Sequence, residues 1–492
     1  VTTPATPADH SASGVPAESP AAATPGSSAE PAASAAEPAA ATPAPPAEPA
    51  ASAAEPAAAA PSSAAEPAVA ATPAPPAEPA ASAAEPAAAA PSASADATTA
   101  RTEDRPLRIL IGADTFLPHV NGAARFAERL AAGLVARGHD VHVAAPSIGH
   151  SNAGTATETV EGQPMTMHRL PAFRFRPHDW ITYVLPWRSK HYARIVLDEV
   201  KPDVVHIQSH IVIGRGLTRE ARKRGIPVVA TNHVMAENIL DFTTLPDFLD
   251  RIFVKLAWAD AERTFKMTRA VTTPTRRAAD FLEKTIDITG VIPISCGIDR
   301  ANYRPDLTPR DKNRLLFVGR LTTEKHIDVA LKALAQLDPA LDVTFDIVGG
   351  GDQRPKLEAL AQQLGVAGRV TFHGHASEED LRALYSRASV FVIASIAELQ
   401  SIATMEAMAS GLPIVAANAV ALPHLVHHGE NGYLFEPGDA EGLAARVTDV
   451  LTASPEERLR MQQASLDEVA VHDITRTLDT FEALYRGRPL PE

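Results

Sequence analysis

Ala397–Asn418 reads AELQSIATMEAMASGLPIVAAN, directly behind the apolar run Val390–Ile393 (VFVI). Four consecutive apolar residues bounded by a turn predict a strand buried on both faces, as in a parallel sheet. The strand should end near Ser395 and leave Glu398 in the turn. A helix is expected from about Ser401 to Ala409, stopped by Gly411 in the position after the C-cap. Pro413–Ala416 (PIVA) starts the next strand. Strand, turn, helix and strand make a βαβ unit, whose crossover is right-handed and whose helix N-terminus faces the crevice at the strand ends. Unpaired N–H groups and the positive end of the helix dipole suit a diphosphate there. Glu398 and Glu406, eight residues apart, offer carboxylates that accept hydrogen bonds from sugar hydroxyls.

The same texture extends in both directions. Upstream, Leu107–Gly112, Val141–Ala145, Val204–Ile207, Pro227–Ala230 and Ala270–Thr272 read as strands alternating with helical patterns, such as the one over 122–137. A second series comprises Leu315–Val318, Val343–Val348, Val370–Phe372, Val390–Ile393 and Pro413–Ala416, with helices expected over 352–364 and 377–386. Alternation of this kind predicts an α/β fold with two Rossmann-like, doubly wound domains facing a cleft. The first is expected over 105–303 and the second over 304–470, divided near the Pro-containing stretch Tyr303–Asp311. Residues 471–492 carry an amphipathic helix, 474–486, expected to cross back to the first domain.

Residues 1–104 are different. They hold 20 of the 42 prolines, no Phe, Trp or Tyr, and 12 acidic residues against Arg101 alone. The block ATPAPPAEPAASAAEPAAAAPS occurs at 41–62 and again, unchanged, at 71–92. Such a segment buries too little apolar surface to offset chain entropy and predicts a disordered, extended Ala/Pro-rich tail. Without it the net charge of −14 falls to −3, from 44 basic and 47 acidic residues in 105–492. No basic field recommends nucleic acid as a partner. The single cysteine, Cys296, excludes an internal disulfide and a multi-cysteine metal site, and fits a reducing cytosol. No apolar run reaches the roughly 18 residues of a membrane span, and the N-terminus has no signal-peptide pattern. The expected location is cytoplasmic, with contact at the membrane surface.

Four further segments carry candidate chemistry. In Phe317–Asp328 (FVGRLTTEKHID) a strand ends at Gly319, and Arg320 and Lys325 follow as a cationic clamp for a phosphate-bearing leaving group; the bland reading is a solvated basic loop. Pro118–Gly122 (PHVNG) joins the first strand to the first helix, where Gly122 lets a ligand approach the backbone or merely makes a turn. His233, in ATNHVMAEN (Ala230–Asn238), sits at a strand end facing the cleft, with Glu237 and Asn238 as weaker pocket candidates. Gly349–Gly351, in IVGGGD, reads as a tight turn beside a nucleotide and not as a G-x-G-x-x-G fingerprint. A fifth segment, Leu170–Val196, interleaves Trp180 and Trp187 with Arg174, Arg176, Arg188, Lys190 and Arg194. It suits an anionic membrane interface, or else a loop and helix that pack their aromatics inward.

With Glu-x₇-Glu followed by a helix ending in small-Gly-x-Pro, the sequence over 106–490 resembles the family 4 retaining glycosyltransferases of the GT-B fold; within the family, Asn232–Trp258 and Ala417–Val426 most resemble bacterial glycolipid hexosyltransferases acting on diacylglycerol or inositol lipids. The resemblance implies transfer of a hexose from UDP-glucose or GDP-mannose to a lipid or sugar acceptor, without a metal or other cofactor. It assigns Glu398 to the donor hexose and Glu406 to the ribose. Arg320 and Lys325 fall on the diphosphate, Gly122 near phosphate, His233 near the donor sugar and acceptor, and Gly350 near the nucleotide. Gly319 and Gln400-Ser401 belong to the same donor site. Many members have Phe-Gly or Gln-Gly where Gln400-Ser401 stands, and Gly where His326 follows Lys325. A glycosidase carboxylate pair fits poorly, since eight helical residues rise about 12 Å and such pairs stand roughly 5–9.5 Å apart. A nucleotide-sugar epimerase, a transferase to soluble or cell-wall sugars and a non-catalytic nucleotide-sugar sensor are the competing readings.

Overall fold

The structure is a computed structural model and describes residues 105–119, 121–149, 152–175, 178–233, 247–310 and 312–491. The repetitive tail, Arg176, Glu237 and Asn238 lie outside these residues. The first domain carries β1 (Arg108–Gly112), β2 (Asp140–Pro146), β3 (Gly154–Val160), β4 (Gln163–Leu170), β5 (Ala172–Phe175), β6 (His178–Val184), β7 (Val204–Ile207), β8 (Val228–Thr231), β9 (Ala270–Thr273) and β10 (Ile292–Pro293). Eight of these strands form one sheet in the order β10-β9-β8-β7-β1-β2-β4-β3. All its neighbours run parallel except β3, which is antiparallel to β4 at the edge. The order reverses between β1 and β7, so a crevice opens where the chain leaves those two strands.

The second domain is a six-stranded parallel sheet of β11 (Arg314–Val318), β12 (Thr344–Val348), β13 (Val370–Gly374), β14 (Val390–Ile393), β15 (Ile414–Ala417) and β16 (Gly432–Phe435). Its order, β13-β12-β11-β14-β15-β16, is that of a doubly wound dinucleotide-type fold. The switch point lies between β11 and β14. The loops leaving them are those singled out in the sequence, Gly319–Lys325 and Ser395–Ser401.

Central strands such as VVHI, VVAT, VFVI and IVAA are buried at every residue, because helices cover both faces of a parallel sheet. Helices open on side-chain caps: Asn121 Oδ1 accepts from the Ala124 amide, and Ser401 Oγ from the Thr404 amide. One apolar cluster runs from Phe126 and Leu130 through Cys296 and Ile298 to the core of the second domain. The helix Ile474–Arg486 lies against the first domain, where Arg137 donates to Asp479 and Glu482 and Leu478 fills the space beside Gly133.

Beyond the edge strands β10 and β16, which the sequence reading left unmarked, two regions of the first domain differ from the expectation. The stretch Gly154–Leu170 folds as the strands β3 and β4, which the sequence reading did not mark, because GTATETV is polar and lies on an exposed edge. For Leu170–Val196 the alternative to a membrane interface was a loop and helix with inward aromatics. The segment forms the antiparallel β5–β6 hairpin and the helix Ser189–Val200. Tyr192 packs against the core, but the other described aromatics face outward: Phe173 and Tyr183, with ring centroids 6.2 Å apart, are exposed, and Trp187 is 74% exposed.

Candidate functional site

A cavity of about 370 Å³ opens between the domains at the two switch points. Gly122, Gly319, Arg320, Lys325, Gly350, Glu398, Gln400, Ser401 and Glu406 all line it. Residues from four separate stretches of chain thus meet in one place. His233 is not among the lining residues.

Each wall has a local cause. Gly349, at φ 129°, takes the turn after β12 so close to β11 that a Cβ there would run into the Gly319 carbonyl oxygen. The glycine turn and the Arg320 loop are therefore built together. At Gly122 a Cβ would meet no protein atom within 4 Å, so packing does not demand glycine and the open space belongs to the cavity. His326 stands at φ 47°, ψ 40°, the left-handed conformation that glycine adopts without strain.

Two helix N-termini face the cavity, Gly122 from the first domain and Ile402 with Ala403 from the second. The leading N–H groups of a helix have no intrahelical acceptor and favour an anion. Lys325 Nζ donates to Glu398 Oε1 at 2.6 Å, and Arg320 Nη2 lies 3.8 Å from Glu324 Oε1. Cations, carboxylates and helix termini in this array can hold a negatively charged diphosphate beside a polyhydroxylated group. Gln400 and Ser401 are already engaged by the protein. Gln400 Oε1 accepts from the Cys296 amide at 2.7 Å, and the Ser401 hydroxyl caps its helix.

Glu406 is deeply buried, and both its oxygens are bonded: Oε1 accepts from Arg129 at 2.6 Å and Oε2 from Tyr385 at 3.0 Å. Burial works against the Arg129 charge, but the facing Glu406 carboxylate, together with Tyr303 and Glu161, outweighs it and leaves the guanidinium's pKa raised. One turn earlier on the same helix, Arg125 pairs with Glu378 of the second domain and with Glu161. The sequence reading missed Arg125, Arg129, Tyr385 and Glu378. The i, i+4 spacing of the two arginines, just after Asn121-Gly122, was the available signal.

His233 follows β8 under the first-domain helix, its ring 4.8 Å from that of Phe126. Nε2 meets Gln208 Oε1 at 3.1 Å. Burial pushes its pKa down to about 3, so the imidazole is neutral at ordinary pH. Asp114, two residues past β1, is half-buried. It accepts from the Ile213 amide and the Ser209 hydroxyl, capping the helix Ile213–Lys223, while burial raises its pKa. Among the described residues no group of three or more His, Cys, Asp or Glu is placed to hold a metal ion, and no helix is long and apolar enough to cross a membrane.

Comparison with known proteins agrees with this geometry. The family described as Glycosyltransferase Family 4 matches residues 120–302, and Glycosyl transferases group 1 matches 299–467. The GDP-mannose-dependent alpha-mannosyltransferase of Mycolicibacterium smegmatis is 29% identical over 365 residues, covering 70% of this chain and 89% of that protein. The alpha-monoglucosyldiacylglycerol synthase of Acholeplasma laidlawii is 24% identical over 350 residues, covering 68% and 86%. Sucrose-phosphate synthase of Thermosynechococcus elongatus has the same fold, with a TM-score of 0.64 at 20% identity over 77% of this chain and 98% of that one. The chain belongs to the family 4, group 1 glycosyltransferases: it is a hexosyltransferase of the GT-B fold that uses a nucleotide sugar.

Proposed function

We propose that the protein transfers mannose from GDP-mannose, with retention at the anomeric carbon, to a hydroxyl of a membrane lipid. The observation that carries this reading is the convergence of Arg320, Lys325, Glu398 and two helix N-termini on one cavity. Negative charge grows on the diphosphate as the glycosidic bond breaks, and preorganised cations and N–H groups stabilise that charge best in the transition state. Glu398 accepts hydrogen bonds from the hexose, and Glu406 from the ribose. The acceptor hydroxyl attacks from the face that the diphosphate leaves and gives its proton to a donor phosphate oxygen, while neutral His233 orients the sugar. GDP-mannose is favoured as donor by the likeness to the mycobacterial mannosyltransferase.

A lipid acceptor is supported by the exposed face of the first domain. Phe173, Tyr183 and Trp187 stand beside exposed Arg174, Arg188 and Lys190, the composition of an interface with anionic lipid. The likeness to the diacylglycerol-modifying synthase favours a second reading, glucosyl transfer from UDP-glucose.

The test is a thermal-shift panel on the full chain with GDP, UDP, ADP and their sugar conjugates. A ligand that binds only the folded state raises Tm. A rise with GDP and GDP-mannose is expected; a rise confined to UDP ligands would move the reading to glucose, and no rise with any nucleotide would sink it. With GDP-mannose and lipid vesicles, Arg320→Ala should lower kcat by about 100-fold with a smaller change in KM. Full turnover in that variant would remove Arg320 from the mechanism. Sugar conversion without transfer would indicate an epimerase, and binding without turnover a sensor.

A further inference from the structure

Gln208 stands between two histidines of the first domain, and the bonds around it leave one consistent arrangement of protons. Thr272 Oγ1 donates to the Ala230 carbonyl, so it accepts from Thr231, whose oxygen lies 2.7 Å away. Thr231 Oγ1 must then accept from His206 Nε2, also at 2.7 Å. His206 Nδ1 is thereby an acceptor and takes the Tyr485 hydroxyl proton at 2.7 Å. The His206 ring is fully buried, and burial holds it neutral, as this chain of donors requires. Gln208 Nε2 lies 3.5 Å from one ring nitrogen of His206 and 3.4 Å from the other. Near-equal distances put the amide NH₂ over the ring face, with its N–H groups toward the π cloud. The other end of that amide, Oε1, can only accept, and its partner is His233 Nε2 at 3.1 Å.

We propose that Gln208 is a positioning residue that holds His233 as the Nε2–H tautomer, leaving Nδ1 as its lone-pair atom, and that Tyr485 of the C-terminal helix sets the place of Gln208 through His206. The consequence for rate rests on the reading of His233 given above; the tautomer does not. Phe126 closes the other side of the His233 ring, and Phe481 of the C-terminal helix packs against both Phe126 and His206. A helix that begins 241 residues downstream of His233 thus anchors the frame in which that ring sits. Its docking on the first domain becomes a condition for an ordered site.

The test is nitrogen-15 NMR of the full chain labelled at histidine, with His233→Ala to assign the signal. Wild type should show a slowly exchanging Nε2–H proton for His233. Gln208→Leu should lose that protection, Gln208→Glu should keep it because a carboxylate still accepts, and Tyr485→Phe should exchange faster than wild type. An Nδ1–H tautomer in wild type, or a protected Nε2–H in Gln208→Leu, would overturn the proposal. GDP release from GDP-mannose is measured on the same proteins. Gln208→Leu should lower kcat about tenfold with KM unchanged. A fall in His233→Ala without one in Gln208→Leu would also overturn the positioning role. Unchanged kcat in His233→Ala, with the NMR result as expected, would remove His233 from the reaction and leave its tautomer assigned.

Discussion

Glu128 shows how much of the site's chemistry is decided by surroundings and not by residue type. It lies on the helix Gly122–Ala136 with its side chain only 2% exposed, 3.6 Å from Arg125. Burial raises its pKa to about 7; Arg125 offsets part of the shift and Glu161 adds to it. A carboxyl raised in the fold contributes stability that is present below its unfolded value of 4.5 and is lost as pH rises through 7. Glu128→Gln should therefore flatten the fall in Tm between about pH 4.5 and 7, gaining up to about 3 kcal/mol at pH 8. Tm against pH for both proteins checks this, and parallel curves would refute it. In the sequence Gly122 was visible as a turn or ligand approach, and His326 as a departure from the family's glycine. Their roles were not, because the space around Gly122 and the left-handed φ at His326 are properties of the folded backbone.

At the scale of elements, the first-domain helix after Gly122 does two things at once. Its N-terminus faces the cavity, and its arginines at 125 and 129 reach Glu378 and Glu406 of the other domain. Arg129→Ala would leave the buried Glu406 carboxylate with Tyr385 but no cation. Removal of one partner of a buried pair costs about 3–5 kcal/mol. Glu406→Gln added to Arg129→Ala should recover part of that loss, measured as a double-mutant cycle in urea unfolding; strict additivity would mean that the pair does not couple the domains. The strands that the sequence reading marked are the apolar central ones and the edge strand β13. Those it missed are the sheet edges β3, β10 and β16, the surface hairpin β5–β6 and the inner strand β4, where QPMTMHRL mixes polar with apolar residues; none offers the unbroken aliphatic run of a central strand.

On the whole-molecule scale, the crossing helix Ile474–Arg486 is part of the first domain's core. Leu478, Phe481, Leu484 and Tyr485 are all buried there, and the Ile298 amide bonds the His472 carbonyl at the crossing. A chain ending at Asp473 should lose that packing, open the His206–Gln208 network and fail to give the cooperative thermal transition of the full protein. Calorimetry and near-UV circular dichroism check this; an unchanged transition would show the helix to be an accessory. Cys296 lies within the same continuous core, where burial pushes its thiol up to about 12 and leaves it a poor nucleophile.

Local pattern alone determined the alternation of strands and helices, the two Rossmann-like halves and the loops that meet at the cavity. Strand burial, capping and glycine turns are set by residues close together in the chain, so they are written there. Tertiary structure alone decided which groups those loops would face. Glu406 meets Arg129 across 277 residues, His206 meets Tyr485 across 279, and the described aromatics of the surface hairpin turn outward. Such partnerships depend on how distant elements pack, and no spacing within one element encodes them.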